Sequence, residues 1–335
     1  MQEPLLSILT PFKDTASYLP QCIESIQSQD YENWELIIVD DHSVDTGYAI
    51  VRQYAHKDDR IKLYTNPGNG IIEALRFAFS KSEGAYITRM DSDDVMPYHK
   101  LTEMKTQLDQ HGKKHVALGL VKYFGDEGIS DGYYKYEQWL NRLTQSGANY
   151  TEIYKECVIP SPCWMVHRED LIACEAFEPN RYPEDYDLAF RFYKYQYTCI
   201  PSNTVLHYWR DYSNRTSRTH EHYAQNYFLA IKTHYFLQLD YRPERPLTLW
   251  GAGFKGKEVA KLLLQHKVPF YWICNNPKKI GKKIYKQRLL PVTFLNTLEQ
   301  PQSIITVANS TSQKRIKTHL KNAGMQSAKD YFFFC

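Results

Sequence analysis

The sequence predicts an α/β protein with a mixed, mostly parallel sheet covered by helices on both faces, and a small second α/β domain after it. In the first hundred residues, short apolar runs typical of strands alternate with segments whose apolar residues recur at helical spacing. The same alternation starts again after residue 247, beginning with a glycine-rich turn. We therefore expect a large domain over 1–240, a linker over 241–246 and a small domain over 247–335.

The N-terminal elements are predicted directly from their apolar patterns. They are strands over 5–10, 34–39, 61–64 and 85–88, and helices over 18–29, 48–55 and 71–79. The turn over 66–70, Asn-Pro-Gly-Asn-Gly, separates the third strand from the third helix. Farther along, the pattern predicts a helix over 101–108, a single strand over 116–124, a strand over 165–167 and a helix over 184–195. For residues 125–160, which are rich in Tyr, Gly and Asn, the sequence predicts no secondary structure.

Carboxylates follow three of these predicted elements or begin them. Asp40-Asp41 ends the second strand, Asp91-Ser92-Asp93-Asp94 follows the fourth, and Glu184-Asp185 opens a helix. Open parallel sheets bind ligands at the carboxyl ends of their strands, and clustered carboxylates select Mg²⁺ or Mn²⁺, which share their shell with phosphate oxygens. A metal-assisted site for a nucleotide diphosphate is therefore one interpretation. The alternative is structural, with Asp93 or Asp94 capping the next helix and Glu184-Asp185 acting as a helix N-terminus.

The C-terminal segment carries a possible dinucleotide fingerprint. Gly251, Gly253 and Gly256 fit GxGxxG between a strand over 247–250 and a helix over 258–265. An NAD(P)-binding enzyme is thus an alternative for this part. Against it, the next strand, over 270–274, ends in Asn275, where such enzymes usually carry an acid. The segment resembles small Rossmann-like α/β units, and further strands are expected over 303–308 and 331–334. We favour an accessory domain that binds a nucleotide or a partner, with a purely structural role as the alternative.

Composition limits the class of protein and its setting. Of 335 residues, 43% are hydrophobic and 24% charged, and no apolar stretch approaches the length of a membrane span. The N-terminus lacks the basic region of a signal peptide, and the seven cysteines form no CxxC pair, so we expect reduced thiols and a cytoplasmic protein. Tyrosine is frequent, with 27 residues, which suits stacking on sugars or bases.

Charge is distributed unevenly. From residue 242 onward the sequence has 17 Lys and Arg residues and only 4 Asp and Glu residues, although the net charge of the whole chain is only +3. The excess indicates attraction to anionic lipid headgroups at the inner face of the membrane, or to another anionic partner, though not nucleic acid. The alternative is a solvated surface. The densest stretch contains Lys278, Lys279, Lys282, Lys283, Lys286 and Arg288.

Taken together, four motifs in order resemble the family-2 inverting glycosyltransferases of bacterial type, which have the GT-A, or nucleotide-diphospho-sugar transferase, fold. The resemblance covers roughly residues 4–220. It rests on the opening at 7–14, the strand and acids at 35–45, the acidic motif at 84–94 with its preceding arginine, and the motif Glu184-Asp185-Tyr186-Asp187-Leu188 with Arg191. It implies a nucleotide-binding half over about 1–97 and an acceptor half over 98–240.

The resemblance also implies roles for individual residues. Asp185 would be the catalytic base, and Asp91 and Asp93 would hold Mn²⁺ or Mg²⁺. Position 13 is often aromatic in the family, so Lys13 departs from its pattern. The segment 209–217 resembles one that closes over the diphosphate. From their residue type, Trp164, Tyr182 and Tyr186 are candidates for stacking on an acceptor sugar, with core packing as the alternative for each. The implied substrate-binding residues are Pro11, Lys13, Asp40, Gly70, Arg89, Asp91, Trp164, Glu184 and Arg210.

The implied reaction is one in-line displacement at the anomeric carbon, which inverts its configuration and needs one base carboxylate. The expected donor is a nucleotide-sugar, with UDP as the expected nucleotide, and the expected acceptor is a glycan or lipid-linked hydroxyl in cell-surface polysaccharide synthesis. A sugar nucleotidyltransferase is an alternative, but residues 10–14 lack its glycine-rich phosphate loop. A carbohydrate-binding protein without turnover is another.

Overall fold

The computed structural model describes residues 3–125, 128–178, 180–213 and 228–335. The chain forms two units, one of residues 1–149 with 158–215 and the other of residues 150–157 with 216–335. The C-terminal unit therefore includes a short segment from the middle of the sequence. The linker over 241–246, predicted to separate two functional domains, stays a prediction.

The N-terminal unit is built on a seven-stranded sheet with the order β3-β2-β1-β4-β7-β5-β8, beside a separate β6-β9 pair. Its strands are β1 (Leu6–Phe12), β2 (Trp34–Asp40), β3 (Ile61–Thr65), β4 (Tyr86–Arg89), β5 (His115–Leu118), β6 (Leu120–Phe124), β7 (Trp164–His167), β8 (Thr198–Cys199) and β9 (Val205–Arg210). Strands β1 to β4 are parallel to one another, whereas β7 is antiparallel to both of its neighbours. The predicted mixed, mostly parallel sheet is confirmed.

Seven helices accompany these strands in the described part of the N-terminal unit. They are α1 (Leu19–Gln27), α2 (Gly47–Ala55), α3 (Ile71–Lys81), α4 (Lys100–His111), α5 (Asp131–Ser146), α6 (Arg168–Ala173) and α7 (Glu184–Lys194). Helix α1 buries Leu19, Cys22, Ile23 and Ile26, the same apolar stripe that predicts it from sequence. The fully buried strands β1 and β2 form the middle of the core.

Strand register brings three sequence motifs to one edge of the sheet. Phe12, at the end of β1, is opposite Asp40, at the end of β2, and Leu9 of β1 is opposite Arg89, the last residue of β4. The backbone continues this pairing beyond the strands, because Asp41 N–H donates to the Phe12 carbonyl at 2.8 Å. The segments that follow β1, β2 and β4 therefore leave the sheet on the same side.

The single strand predicted over 116–124 is wrong, because the structure breaks it at Gly119. Strand β5 joins the large sheet, whereas β6 pairs with β9. A Cβ on Gly119 would lie 2.3 Å from the Cβ of Leu206, so only glycine permits this close approach to β9. Alternation of apolar residues cannot reveal such a change of sheet, because both strands are apolar.

The stretch 125–160, for which the sequence predicts no secondary structure, contains the helix α5. Its N-cap Ser130 accepts a hydrogen bond from the Tyr133 backbone N–H, and Gly147 ends the helix in the left-handed conformation at φ +65°. Trp139, Leu140 and Leu143 form its buried face. These capping residues are visible in the sequence, so this helix could have been predicted.

The C-terminal unit is a second α/β structure. Its six-stranded sheet has the order β12-β13-β11-β10-β14-β15, and every pairing except that of β12 with β13 is parallel. Among the described residues, no helix is both long and apolar enough to cross a bilayer. The elements are α8 (Leu229–Leu239), β10 (Leu247–Trp250), α9 (Phe254–Gln265), β11 (Tyr271–Cys274), β12 (Lys283–Ile284), β13 (Gln287–Pro291), β14 (Gln302–Ile305), α10 (Ser310–Asn322) and β15 (Tyr331–Phe333).

The three glycines of the C-terminal fingerprint have different surroundings. Gly251 has φ +125°, and a Cβ on Gly256 would lie 2.1 Å from the Gly251 carbonyl oxygen. A Cβ on Gly253 would meet nothing within 4 Å. Gly256 thus packs helix α9 closely against the end of β10, while Gly253 leaves open space at the start of that helix.

We expect Gly256→Ala to destabilise the protein by about 1–3 kcal/mol, because the added methyl collides with backbone that cannot rotate away. Gly253→Ala is the matched control and should change the free energy of unfolding by less than about 1 kcal/mol. Urea denaturation followed by circular dichroism measures both. Equal stability of the two variants would contradict the close-packing role of Gly256.

Candidate active site

The acidic cluster lies directly after β4, at the shared sheet edge. Asp91 and Asp93 are partly exposed, whereas Asp94 is fully buried. The alternative in which Asp93 or Asp94 caps the next helix is wrong, since α4 begins at Lys100 and its N-cap position is His99. The cluster therefore has carboxylate oxygens at the sheet edge that no helix cap uses.

Arg89 connects the acidic cluster to the motif at 184–185. Its Nε donates to Asp91 Oδ1 at 2.8 Å, and its Nη1 donates to Glu184 Oε1 at 2.9 Å. The Arg89 side chain is only 6% exposed, and that of Glu184 only 8%. Burial alone would lower the pKa of Arg89, but Asp91, Glu184 and Asp185 together raise it. One buried guanidinium thus brings together two motifs that are 95 residues apart.

Asp185 lies in the first turn of α7, next to this ion pair. Burial raises the pKa of its carboxyl group to about 7, and the charge of Glu184 acts in the same direction. Arg89 opposes the shift, as does the hydrogen bond that the Tyr186 backbone N–H donates to Asp185 Oδ1 at 2.7 Å. A carboxyl group with a pKa near neutrality can accept a proton at physiological pH, as a general base must.

Two residues of the predicted closing segment contact Asp93. The Tyr212 hydroxyl donates to Asp93 Oδ2 at 2.9 Å, and Arg210 Nε donates to the Asp93 carbonyl at 2.6 Å. The Arg210 guanidinium also lies 5.0 Å from the centre of the Tyr18 ring. Arg210 is therefore held beside the acidic cluster. Residues 214–217 of that segment lie outside the described residues.

Behind the cluster is a buried chain of polar contacts that the sequence does not predict. His207 Nε2 lies 2.8 Å from Asp94 Oδ2, and Lys100 Nζ lies 3.5 Å from His207 Nδ1. Lys100 also donates to the Pro162 carbonyl at 2.6 Å, and burial lowers its pKa. These contacts hold Asp94, the last acid of the cluster, on the side that faces the protein interior. One sequence feature could have indicated that Lys100 has a special role: it lies in the first turn of a helix, where the helix dipole disfavours a cation.

A second group of contacts at this sheet edge is organised by Asp41. Its Oδ1 accepts hydrogen bonds from Asn66 Nδ2 at 2.6 Å and from the Gly70 backbone N–H at 2.8 Å. Asp41 therefore closes the 66–70 turn, and Gly70, at φ +89°, is positioned through it. Asp40, which is predicted to bind substrate, lies at the same edge and accepts from the Ser43 backbone N–H at 3.0 Å.

Pro11 and Lys13 lie at the end of β1, adjacent to these acids. Pro11 is buried opposite Val39 of β2. Lys13 Nζ is 3.8 Å from Asp41 Oδ2, and its side chain is 57% exposed. The structure thus brings Pro11, Lys13, Asp40 and Gly70 to one edge. Lys13 extends into solvent there, at the position where the resemblance leads us to expect an aromatic ring.

Trp164 requires a correction. Its side chain is 1% exposed and packs edge-on against Phe192, with 6.1 Å between the ring centres. A ring so enclosed by core has no face free for an acceptor sugar, so in this structure Trp164 is a packing residue. Tyr186 is likewise fully buried and stacked on Phe190 at 4.8 Å.

The carboxylates of the cluster fit a divalent cation in one specific way. Mg²⁺ and Mn²⁺ sites at phosphate substrates use one or two protein carboxylates, and the phosphates and water supply the other oxygens. Asp91 and Asp93 are two such carboxylates, partly exposed at the sheet edge. In the described residues no group of three or more His, Cys, Asp or Glu side chains forms a complete cage. The donor set suits a cation shared with a substrate.

Comparison with known proteins places this edge in a family. The model of glycosyl transferase family 2 matches residues 7–174, half of the chain, and includes β1, β2 and the acidic cluster. The chain belongs to glycosyl transferase family 2. Within that family, it is 35% identical over 122 residues to the putative teichuronic acid biosynthesis glycosyltransferase TuaG of Bacillus subtilis, which is 36% of this chain and 47% of TuaG. It spans less than half the length of the first curated relatives it matches.

Solved structures support the GT-A-like fold of this family 2 chain. Residues 1–349 of Staphylococcus aureus TarS, in complex with UDP-GlcNAc, align with a TM-score of 0.54 and 18% identity over 78% of this chain and 72% of that one. The mannosyltransferase PcManGT of Pyrobaculum calidifontis, in complex with GDP-Man and Mn²⁺, aligns with a TM-score of 0.51 and 16% identity over 78% and 70%. At these identities the likeness shows the fold alone.

Proposed function

We propose that this family 2 protein transfers a sugar from a nucleotide-diphosphate donor, with inversion, to a hydroxyl of a glycan or lipid-linked acceptor in polysaccharide synthesis. The observation that carries the proposal is the Arg89 bridge between Asp91 and Glu184. Through this bridge, a carboxyl group suited to proton abstraction stands beside carboxylates suited to a diphosphate-bound cation. TuaG, by its name a teichuronic acid biosynthesis enzyme, supports the polysaccharide assignment.

In the proposed reaction, Asp185 accepts the proton of the acceptor hydroxyl while the oxygen of that hydroxyl attacks the anomeric carbon of the donor sugar. Arg89 keeps Glu184 and Asp91 in place, so that the base and the donor site keep a fixed spacing. Asp91 and Asp93 would hold Mn²⁺ or Mg²⁺, which supplies Lewis acidity for the charge on the departing diphosphate. Arg210, held beside Asp93, adds a positive charge on that side.

The donor side is proposed to lie at Pro11, Lys13, Asp40 and Gly70. A UDP-sugar is the expected donor, in line with the UDP-GlcNAc bound to TarS. The charged Lys13 would replace the usual aromatic stacking on the base by contact with an anionic or carbonyl oxygen of the nucleotide. Family membership favours this reaction over nucleotidyl transfer.

We expect slow hydrolysis of a UDP-sugar that requires Mn²⁺ or Mg²⁺. A panel of UDP-, GDP- and dTDP-sugars, each assayed by released nucleotide with the cation and with excess chelator, tests this. Asp93→Ala should lower the rate at least about 100-fold, because the charge developing on the diphosphate loses its stabilisation. Glu103→Ala, at a partly exposed position of α4, is the control and should keep the wild-type rate.

Two results would contradict this proposal. Undiminished activity in excess chelator would exclude the cation. Binding of every donor without any turnover, with or without acceptor glycans, would instead favour a carbohydrate-binding protein.

The glycines at 251, 253 and 256 remain a proposed nucleotide- or partner-binding turn. The open space at Gly253 supports a ligand there. An NAD(P) site is disfavoured, because the Asn275 Oδ1 at the end of β11 accepts a hydrogen bond from Trp250 Nε1 at 2.6 Å and is engaged within the protein. Thermal shift with NAD, NADP and nucleotide-sugars distinguishes these ligands.

A further inference from the structure

The C-terminal unit contains a long stretch that has cations but no acid. From residue 259 to 298 the sequence has eight Lys and Arg residues and no Asp or Glu. A solvated surface usually mixes both signs, because like charges repel each other. An uninterrupted stretch of one sign is therefore unusual for a surface that is only solvated.

The structure gathers part of this charge on one ribbon. Strands β12 and β13 form a two-stranded antiparallel pair at the edge of the sheet, with Lys283 directly opposite Arg288. Both side chains are exposed. Side chains directly opposite each other on an antiparallel pair share one face, and like charges there are destabilising. The fold thus retains an unfavourable pair that an anion would relieve.

Neighbouring cations extend this charge. Lys278 and Lys282 precede the ribbon and Lys286 is in its turn, and all three are exposed. Among the residues that the structure describes, none of these five cations forms an ion pair; elsewhere in the unit Lys261 pairs with Glu258 at 2.7 Å and Lys317 with Glu152 at 3.0 Å. Their charge is therefore not neutralised within the described protein.

Apolar side chains stand among these cations. Tyr285 is 40% exposed and Ile280 is 36% exposed. Tyr285 and Lys286 form the two-residue turn between β12 and β13 at φ +50° and +65°, a left-handed conformation that hairpin turns usually assign to Asn or Gly. The turn thus presents a tyrosine and a lysine together at its tip. We call Lys278, Ile280, Lys282, Lys283, Tyr285, Lys286 and Arg288 the basic hairpin surface.

We propose that the basic hairpin surface binds the anionic lipid headgroups of a membrane. Its cations are complementary to the negative surface potential of an anionic leaflet. Tyrosine and isoleucine favour lipid over a purely ionic polyanion, because a tyrosine places its ring at the headgroup level and an aliphatic side chain enters the boundary beneath it. This inference does not depend on the proposed sugar transfer, and its test needs no activity.

Vesicle flotation of the full chain tests the proposal. We expect binding to vesicles of phosphatidylcholine mixed with phosphatidylglycerol, no binding to phosphatidylcholine alone, and weaker binding as ionic strength rises. The triple variant Lys282→Glu, Lys283→Glu and Lys286→Glu should bind at least about 100-fold more weakly, since each cation near an anionic surface contributes about fivefold and the variant also adds three negative charges. Tyr285→Ser, which keeps every charge, should weaken binding severalfold.

A matched control separates the surface from net charge. Lys314→Glu, Arg315→Glu and Lys321→Glu change three exposed cations of α10 in the same unit by the same total charge and should alter binding by less than about threefold. Circular dichroism and thermal unfolding verify that both triple variants are folded.

Three results would overturn the proposal. The first is equal loss in the two triple variants, which would indicate net charge alone. The second is no vesicle binding by the wild type, which would leave these lysines as protection of an edge strand against pairing. The third is wild-type binding by Tyr285→Ser together with full displacement by a short nucleic acid duplex, which would indicate a polyanion site.

Discussion

Asp185→Asn is expected to lower the rate of sugar transfer by about 100- to 10,000-fold while leaving donor affinity within about twofold. The amide has the shape of the carboxylate but cannot accept the proton of the acceptor hydroxyl. The donor contacts proposed at Lys13, Asp40 and Asp91 are unchanged. Steady-state kinetics with an active acceptor gives the rate, and calorimetric titration of the UDP-sugar gives the affinity.

The pH profile provides an independent measurement of the same group. Because Asp185 has a raised pKa of about 7, wild-type kcat/KM should fall about tenfold for each pH unit below that value. The folding stability of the wild-type protein has the opposite dependence on pH. The folded protein holds this proton more tightly than the unfolded chain, so ionisation reduces stability as pH rises from the ordinary carboxyl pKa to about 7. Asp185→Asn removes that loss and should be at least as stable as wild type at pH 8.

Two outcomes would remove Asp185 from the role of base. One is near-normal turnover of Asp185→Asn. The other is a wild-type profile of kcat/KM that stays flat through pH 7 and is identical to that of the variant. Glu169→Gln, an exposed acid at the start of α6, is the matched control and should keep both the rate and its pH profile.

The edge of the sheet could be predicted from the sequence because it depends on local patterns. Buried strands that end in Phe12, Asp40 and Arg89 have clear apolar runs, and parallel strands necessarily bring their carboxyl ends together. The order of the motifs then indicates which acids gather there. No side-chain contact is needed for that inference.

Contacts between distant segments could not be predicted in the same way. The pairing of Arg89 with Glu184 depends on where the start of α7 lies relative to the end of β4, and no local pattern encodes that placement. The burial of Lys100 depends on His207 and the Pro162 carbonyl, which are far apart in sequence. The burial of Trp164 could not be predicted either. A single aromatic residue in a four-residue strand is equally compatible with core packing and with a sugar-binding surface.

Arg89→Met should destabilise the protein by about 3–5 kcal/mol and also reduce transfer. Removing one partner of a buried ion pair leaves the other charge buried without compensation, and here two carboxylates, Asp91 and Glu184, lose the same guanidinium. Their mutual repulsion should displace Glu184 and, with it, the first turn of α7 that carries Asp185. Chemical denaturation gives the stability, and the kinetic assay gives the activity.

A double-mutant cycle with Glu184→Gln separates the ion pair from packing. Once Glu184 is neutral, less uncompensated charge remains, so Arg89→Met should cost at least about 1 kcal/mol less in the Glu184→Gln background. Lys105→Met, which removes a partly exposed ion pair with Asp109 on α4, is the control and should cost about 0.5 kcal/mol.

Activity distinguishes a positioning role from general stability. Arg89→Lys retains the charge but cannot bind Asp91 and Glu184 together in the planar, two-pronged geometry of a guanidinium. We expect it to recover most of the stability lost in Arg89→Met while kcat stays at least about tenfold low and KM for the donor changes little. Recovery of kcat in proportion to stability would mean that Arg89 acts only as a structural cation, and the bridge would then not set the spacing between the base and the donor site.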